Sequence, residues 1–194
     1  MAFKAQFRTG LVYVFFVGIL CVAWPAGSLA AEAKAWLGGG FGLSVPNKSD
    51  TTARPMFGVN LGAKLGSEFG IGVHYLSSSK DEDVSGRSVP WNYQLYGISG
   101  SFHFEGEAKG VYLGALLGMS RVETKYLGGD LSTSPMHYGV FAGYNHPIAG
   151  EMFTLGGEVS FISIGSASGS VFGISRETDA FSTLNFLITG KFWL

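Results

Sequence analysis

Apolar residues in this chain recur at every second position, and that period constrains the fold more than any other feature. Phe57, Val59, Leu61, Ala63 and Leu65 interleave with Gly58, Asn60, Gly62 and Lys64. Phe69, Ile71, Val73 and Tyr75 interleave with Gly70, Gly72 and His74, and the pattern returns near 111–119, 138–144, 153–161 and 184–194. Strict alternation marks strands with one apolar face and one polar or small face. Two further segments, 35–45 and 92–104, fit less cleanly, which brings the expected number of strands to eight. Near the second, Trp91, Tyr93 and Leu95 run on the phase opposite to Tyr96, Ile98 and Phe102. That change of phase predicts a bulge or a change of environment near residue 95.

Register is readable for one hairpin. Pairing residues whose numbers sum to 134 sets Leu65 by Phe69, Ala63 by Ile71, Leu61 by Val73 and Val59 by Tyr75 on one face. The same register pairs Asn60 with His74 and Lys64 with Gly70 on the other, as one hairpin requires. Connections fall near 45–55, 66–68, 77–91, 105–110, 123–136, 146–152 and 164–178. Their alternation of long and short is that of a transmembrane β-barrel. Pro46, Pro55, Pro90, Pro135 and Pro147 all stand in or at the edge of a connection, where no ladder donor is lost.

The first thirty residues read as a signal peptide. Lys4 and Arg8 precede an apolar run from Leu11 to Trp24, and Ser28-Leu29-Ala30 supplies small residues before a cleavage point ahead of Ala31. The run is shorter than the roughly 17–25 residues of a membrane-spanning helix. Leu20 before Cys21 argues against a lipoprotein site. The organisation is therefore read as a 1–30 signal peptide and a 31–194 barrel domain. Removing the leader leaves 11 of the 13 basic residues against 14 acidic ones and takes away the one cysteine. Disulfides, thiolate chemistry and Cys-ligated zinc are then excluded. The near-neutral charge gives no nucleic-acid footprint.

An apolar face can line a ligand-binding core or meet lipid. The other face decides between them. It holds mostly glycine, serine, threonine and asparagine, with isolated charges at Lys64, Glu158 and Lys191. A water-facing surface of that size would carry many more charges, whereas small residues suit the narrow lumen of eight strands. Only 14% of the chain is charged, against roughly a quarter in soluble domains. Aromatic residues also fall near both ends of the segments, as interfacial girdles do. The expected fold is an all-β, eight-stranded, antiparallel up-and-down transmembrane β-barrel with both termini on the periplasmic side.

The signal peptide, the alternating connections and the closing segment Leu184-Asn-Phe-Leu-Ile-Thr-Gly-Lys-Phe-Trp-Leu194 resemble the small outer-membrane barrels of Gram-negative bacteria. These include the OmpA barrel domain, OmpX and the opacity-like proteins. The resemblance implies that Phe186, Ile188, Phe192 and Leu194 form a C-terminal signal read by the barrel-assembly machinery. This chain ends in leucine where the family usually ends in phenylalanine. It also implies an outer-membrane monomer, without cofactor, in contact with lipid and lipopolysaccharide.

Several residues are candidates for function. Asn60, Lys64, His74, Glu158 and Lys191 are expected to form a polar network in the lumen, because unpaired buried charge is costly. Lys80, Asp81, Glu82, Asp83 and Arg87 are expected on an outer loop, where they could meet cations or lipopolysaccharide phosphates. His137 is expected at a rim, and His103 and His146 on the periplasmic side. Lipid A deacylases use similar barrels, and a resemblance to them would require a His-x-Ser pair. Phe161 stands where that histidine would precede Ser163, so no enzyme is expected. The reading is a surface structural or adhesin-like protein with a closed lumen and a host or surface ligand. A narrow pore is the alternative, and a lipid A-modifying enzyme the second.

Overall fold

A computed structural model describes residues 34–47, 52–84, 87–105, 109–126, 129–149, 152–172 and 174–194, without the side chains of 82–84, 87, 88, 125, 126, 130 and 149. The leader expected over 1–30 lies outside the described residues. The described residues form eleven strands: β1 (Ala35–Pro46), β2 (Arg54–Leu65), β3 (Phe69–Val84), β4 (Arg87–His103), β5 (Gly110–Tyr126), β6 (Gly129–Thr133), β7 (Met136–Ala149), β8 (Phe153–Ile164), β9 (Ala167–Val171), β10 (Ile174–Thr178) and β11 (Phe181–Trp193). Eight of them close a barrel in the order β1, β2, β3, β4, β5, β7, β8, β11. The seam joins the first and last strands, with Leu37 opposite Phe192 and Val45 opposite Leu184. Closure leaves no edge strand within the wall, and in a bilayer no other sheet arrangement satisfies its backbone.

The β2–β3 register is the one the two faces require, from Met56 opposite Ser78 to Leu65 opposite Phe69. Gly66 makes its tight turn with φ of 74°, a conformation that side chains resist. We call the end holding Ala35 and Trp193 the terminal end, and the opposite one the far end. The apolar phase faces outward all round the wall: Phe41, Ile71, Ile98, Leu117, Val140, Phe161 and Ile188 are exposed. An apolar surface of this extent is unstable in water and suited to hydrocarbon. Aromatic residues rim it, with Phe69, Phe102 and Phe104 packed edge to face at the terminal end. Phe57 and Tyr75 pack together toward the far end.

Three features differ from the sequence reading. β4 carries no bulge near residue 95: its pairing with β3 runs unbroken from Phe69–Phe102 to Val84–Arg87. Trp91, Tyr93 and Leu95 keep phase and point inward, so the environment changes and the backbone does not. The irregularity in the wall lies instead at Pro147 and Ala149 of β7. Second, residues 77–91 are strand for most of their length, because β3 and β4 continue their ladder far beyond the apolar belt. Third, the connections near 123–136 and 164–178 contain strands as well. β6 folds back on β5, and β9 pairs with β10 as a separate hairpin.

Candidate functional site

Alternation places every second residue of each strand inside the barrel, and two layers result. The layer nearer the terminal end is polar. Tyr112 from β5 lies between Glu158 of β8 and Lys191 of β11. Its hydroxyl donates to Glu158 Oε2 at 2.9 Å, and the Lys191 ammonium sits 3.9 Å from its ring centre. A cation over an aromatic face is attracted by the ring quadrupole. His103 stacks on the other side of the network, 5.4 Å from Tyr112 between ring centres. Asn60 accepts the indole N–H of Trp36 at 3.0 Å. Trp36 and Trp193 meet at 5.4 Å beside the chain ends. Lys64 and Lys191 are 3% and 6% exposed.

Above this layer the lumen turns apolar. Met56, Leu76, Leu95, Leu116, Ile162 and Leu187 form one buried cluster with Trp91, Tyr93 and Phe181. Arg54, fully buried, caps it: its guanidinium lies 4.0 Å over the Trp91 ring and donates to the Trp91 carbonyl at 3.0 Å. The Tyr93 hydroxyl is satisfied by Ser44. A lumen of small polar residues throughout is thus not what the chain builds; half of it is a hydrophobic core. Between the two layers a cavity of about 60 Å³ touches His74, Tyr112, Glu158 and Lys191.

The five lumen residues singled out in sequence all project inward. Glu158 and Lys191 are joined through Tyr112, Asn60 binds Trp36, and His74 meets His137 with 3.0 Å between their Nε2 atoms. His137 is therefore no rim residue: it is fully buried, and its Nδ1 pairs with Ser120 at 3.1 Å. His103 too is a lumen residue, bonded to Ser101. His137 shares the phase of Gly139 and Gly143, which is the signal that placed it inside. Tyr112 shares that of Gly114. That they would meet His74, Glu158 and Lys191, on strands far away in sequence, carried no such signal.

At the far end, Lys80 and Asp81 stand on the extension of β3 and not on a loop. The Lys80 ammonium donates to Thr52 and to the Ala53 carbonyl, tying the β1–β2 connection to the extension. Glu82, Asp83 and Arg87 belong to the same ladder, and their side chains lie outside the described ones. Ser79, Asn92 and the Arg121–Glu123 ion pair give the outer face of β3–β5 a polar surface beyond the belt. The β9–β10 hairpin leans on β6: Leu131 and Val171 are buried where they pack, and Thr133 bonds Thr178. Phe186, Ile188, Phe192 and Leu194 are all exposed on the outer face of β11 or at its end.

No family model and no curated protein sequence matches the chain. Solved structures do. Neisserial surface protein A superposes with a TM-score of 0.65 at 14% identity, over 83% of this chain and 98% of that one. Ail, the attachment invasion locus protein of Yersinia pestis, in complex with the heparin analogue sucrose octasulfate, gives 0.56 at 11% identity, over 84% and 99%. With its closed ring of eight strands and its lipid-type belt, the chain has the fold of the small eight-stranded outer-membrane β-barrels.

Proposed function

We propose that this chain is a bacterial outer-membrane barrel with its termini in the periplasm, a closed lumen and an adhesin-like surface at the far end. The observation that carries this reading is the hydrogen-bonded extension of β3, β4 and β5 past the apolar belt. Strand pairing from Ser79–Asn92 to Asp83–Ser88 holds a polar sheet clear of the membrane. A rigid platform loses less entropy on binding than mobile loops do. The packed β9–β10 hairpin adds a second rigid element beside it. The buried apolar cluster supports a lumen that passes no solute. Contacts of the platform with lipopolysaccharide or a host surface molecule, and assembly through the C-terminal strand, belong to the same proposal.

The test uses the full chain expressed with its leader in a Gram-negative strain that does not adhere. A peptide tag inserted after Phe172 is labelled on whole cells, and a tag after Leu194 only after the outer membrane is opened. Cells carrying the protein bind immobilised heparin or lipopolysaccharide, and replacement of residues 79–92 by a short turn abolishes binding while the barrel stays folded. Labelling of the C-terminal tag on intact cells would reverse the orientation. Steady single-channel currents from the wild type would remove the closed lumen.

A further inference from the structure

The polar lumen contains one contact that the surface role does not use. His74 on β3 and His137 on β7 stand in opposite parts of the wall, with β4 and β5 between them. Their ring centres are 5.3 Å apart and their Nε2 atoms 3.0 Å apart. Those two distances together require the nitrogens to face each other in line. One proton fits on that axis, donated by either ring. With it the pair is an N–H···N hydrogen bond spanning the lumen; a second proton on the axis sets two N–H groups head to head at hydrogen-bond distance, at least one of them on a cationic ring.

The surroundings decide what a second proton does. His137 is held: its Nδ1 pairs with Ser120, and its Cε1 lies against Gly118 where even a Cβ would be 2.8 Å away. His74 is not held in the same way. Its Nδ1 has no hydrogen-bond partner, and it borders the cavity of about 60 Å³, which has room for about four waters. Other ionisable groups facing the lumen are Lys64 on β2, His103 on β4, Tyr112 on β5, Glu158 on β8 and Lys191 on β11. Arg54 and Tyr93 lie beyond, in the apolar layer. Among these described groups cations prevail, and the carboxylate of Glu158 takes the Tyr112 hydroxyl.

We propose that the His74–His137 pair is an acid-released latch across the barrel: a second proton drives His74 off its partner and into the cavity, cutting the link between β3 and β7. In the latched state the two walls are tied through Ser120, His137 and His74. In the released state that tie is lost, and the barrel is easier to unfold.

Two measurements on the refolded full barrel test it. The first is nuclear magnetic resonance of ¹⁵N-histidine-labelled protein in detergent micelles. A coupling between the two Nε2 atoms through the shared proton is expected at about pH 8, and its loss on acidification to about pH 4. The second is the temperature at which the folded band converts to the unfolded one in heat-modifiable gel migration. Acidification lowers it in the wild type by about 2–4 °C more than in His74→Gln or His137→Gln, whose amide can turn its oxygen toward a protonated partner. His103→Gln keeps the full wild-type drop. An equal drop in wild type and both latch variants, or no coupling at neutral pH, overturns the proposal. If His137→Gln fails to fold, His74→Gln and the wild-type spectrum still decide it.

Discussion

Lys191 places its ammonium 3.9 Å from the centre of the Tyr112 ring, and the hydroxyl of that same ring donates to Glu158. One tyrosine thus joins the cation of β11 to the carboxylate of β8, although the backbone pairs Lys191 with Thr154 and Glu158 with Leu187. The sheet itself brings neither charge opposite the other. The tyrosine mediates between them because its face attracts cations and its edge donates to anions.

This division of labour can be tested by taking the two halves apart. Tyr112→Phe keeps the ring under Lys191 and removes the donor to Glu158, for an expected loss of about 1.5–3 kcal/mol. Tyr112→Leu removes the aromatic face as well and costs more. Urea unfolding of the refolded barrel in lipid vesicles measures both. A Tyr112→Phe variant as stable as wild type would mean that water replaces the hydroxyl at Glu158.

Glycines in this wall differ sharply in what they protect. Gly42 faces the lumen at the β1–β11 seam, where a Cβ would overlap the Phe186 carbonyl. Backbone cannot yield there without parting the strands that close the barrel. Gly100 sits on the outer face of β4, with nothing within 4 Å of a Cβ. Gly42→Ala is therefore expected to abolish the heat-modifiable folded band, and Gly100→Ala to leave its midpoint within a degree or two of wild type. Equal behaviour of the two would show that the seam absorbs a methyl group.

The belt and the β2–β3 register were legible in the sequence because both rest on local alternation. Positions 57–75 satisfy two faces at once, and a slip by one residue would put Lys64 in lipid. The apolar half of the lumen was not legible. Periodicity assigns Trp91, Tyr93 and Leu95 to a face, but it cannot say that the inside of a barrel is oily at that height. The extension of β3 escaped for a different reason: Ser77 to Asp83 are polar on both faces, so only the ladder to β4 shows them to be strand. The His74–His137 contact joins residues 63 apart, and strand stagger around the barrel, invisible in a linear pattern, sets it.

Outward-facing positions give a prediction about depth. Ile98 lies on the belt between Val73 and Leu117 and is 64% exposed. An arginine there would meet hydrocarbon at a cost of about 2–4 kcal/mol. Ser79 shares the outward face of the β3–β4 hairpin but stands on the extension, so Ser79→Arg is expected to change stability by less than about 0.5 kcal/mol. Unfolding in vesicles of both variants separates membrane from platform. A costly Ser79→Arg would bring the extension down to the lipid.

In the closed lumen proposed above, two elements stand in series. The first is the apolar layer, in which Leu95 and Ile162 are wholly buried. The second is the cap, where Phe181 packs 5.1 Å from Trp91 and 5.9 Å from Tyr93, with Arg54 over the Trp91 ring. On that proposal either one alone is enough to exclude ions, since each sets buried side chains across the lumen. Leu95→Ala with Ile162→Ala should therefore destabilise the barrel by several kcal/mol, about 2–5 per site, yet leave planar bilayers silent. Adding Phe181→Ala opens the cap above the emptied layer, and steady currents are expected in the triple variant alone. Currents from the double variant would assign the seal to the apolar layer by itself, and silence from the triple would place it lower, at the Tyr112 network.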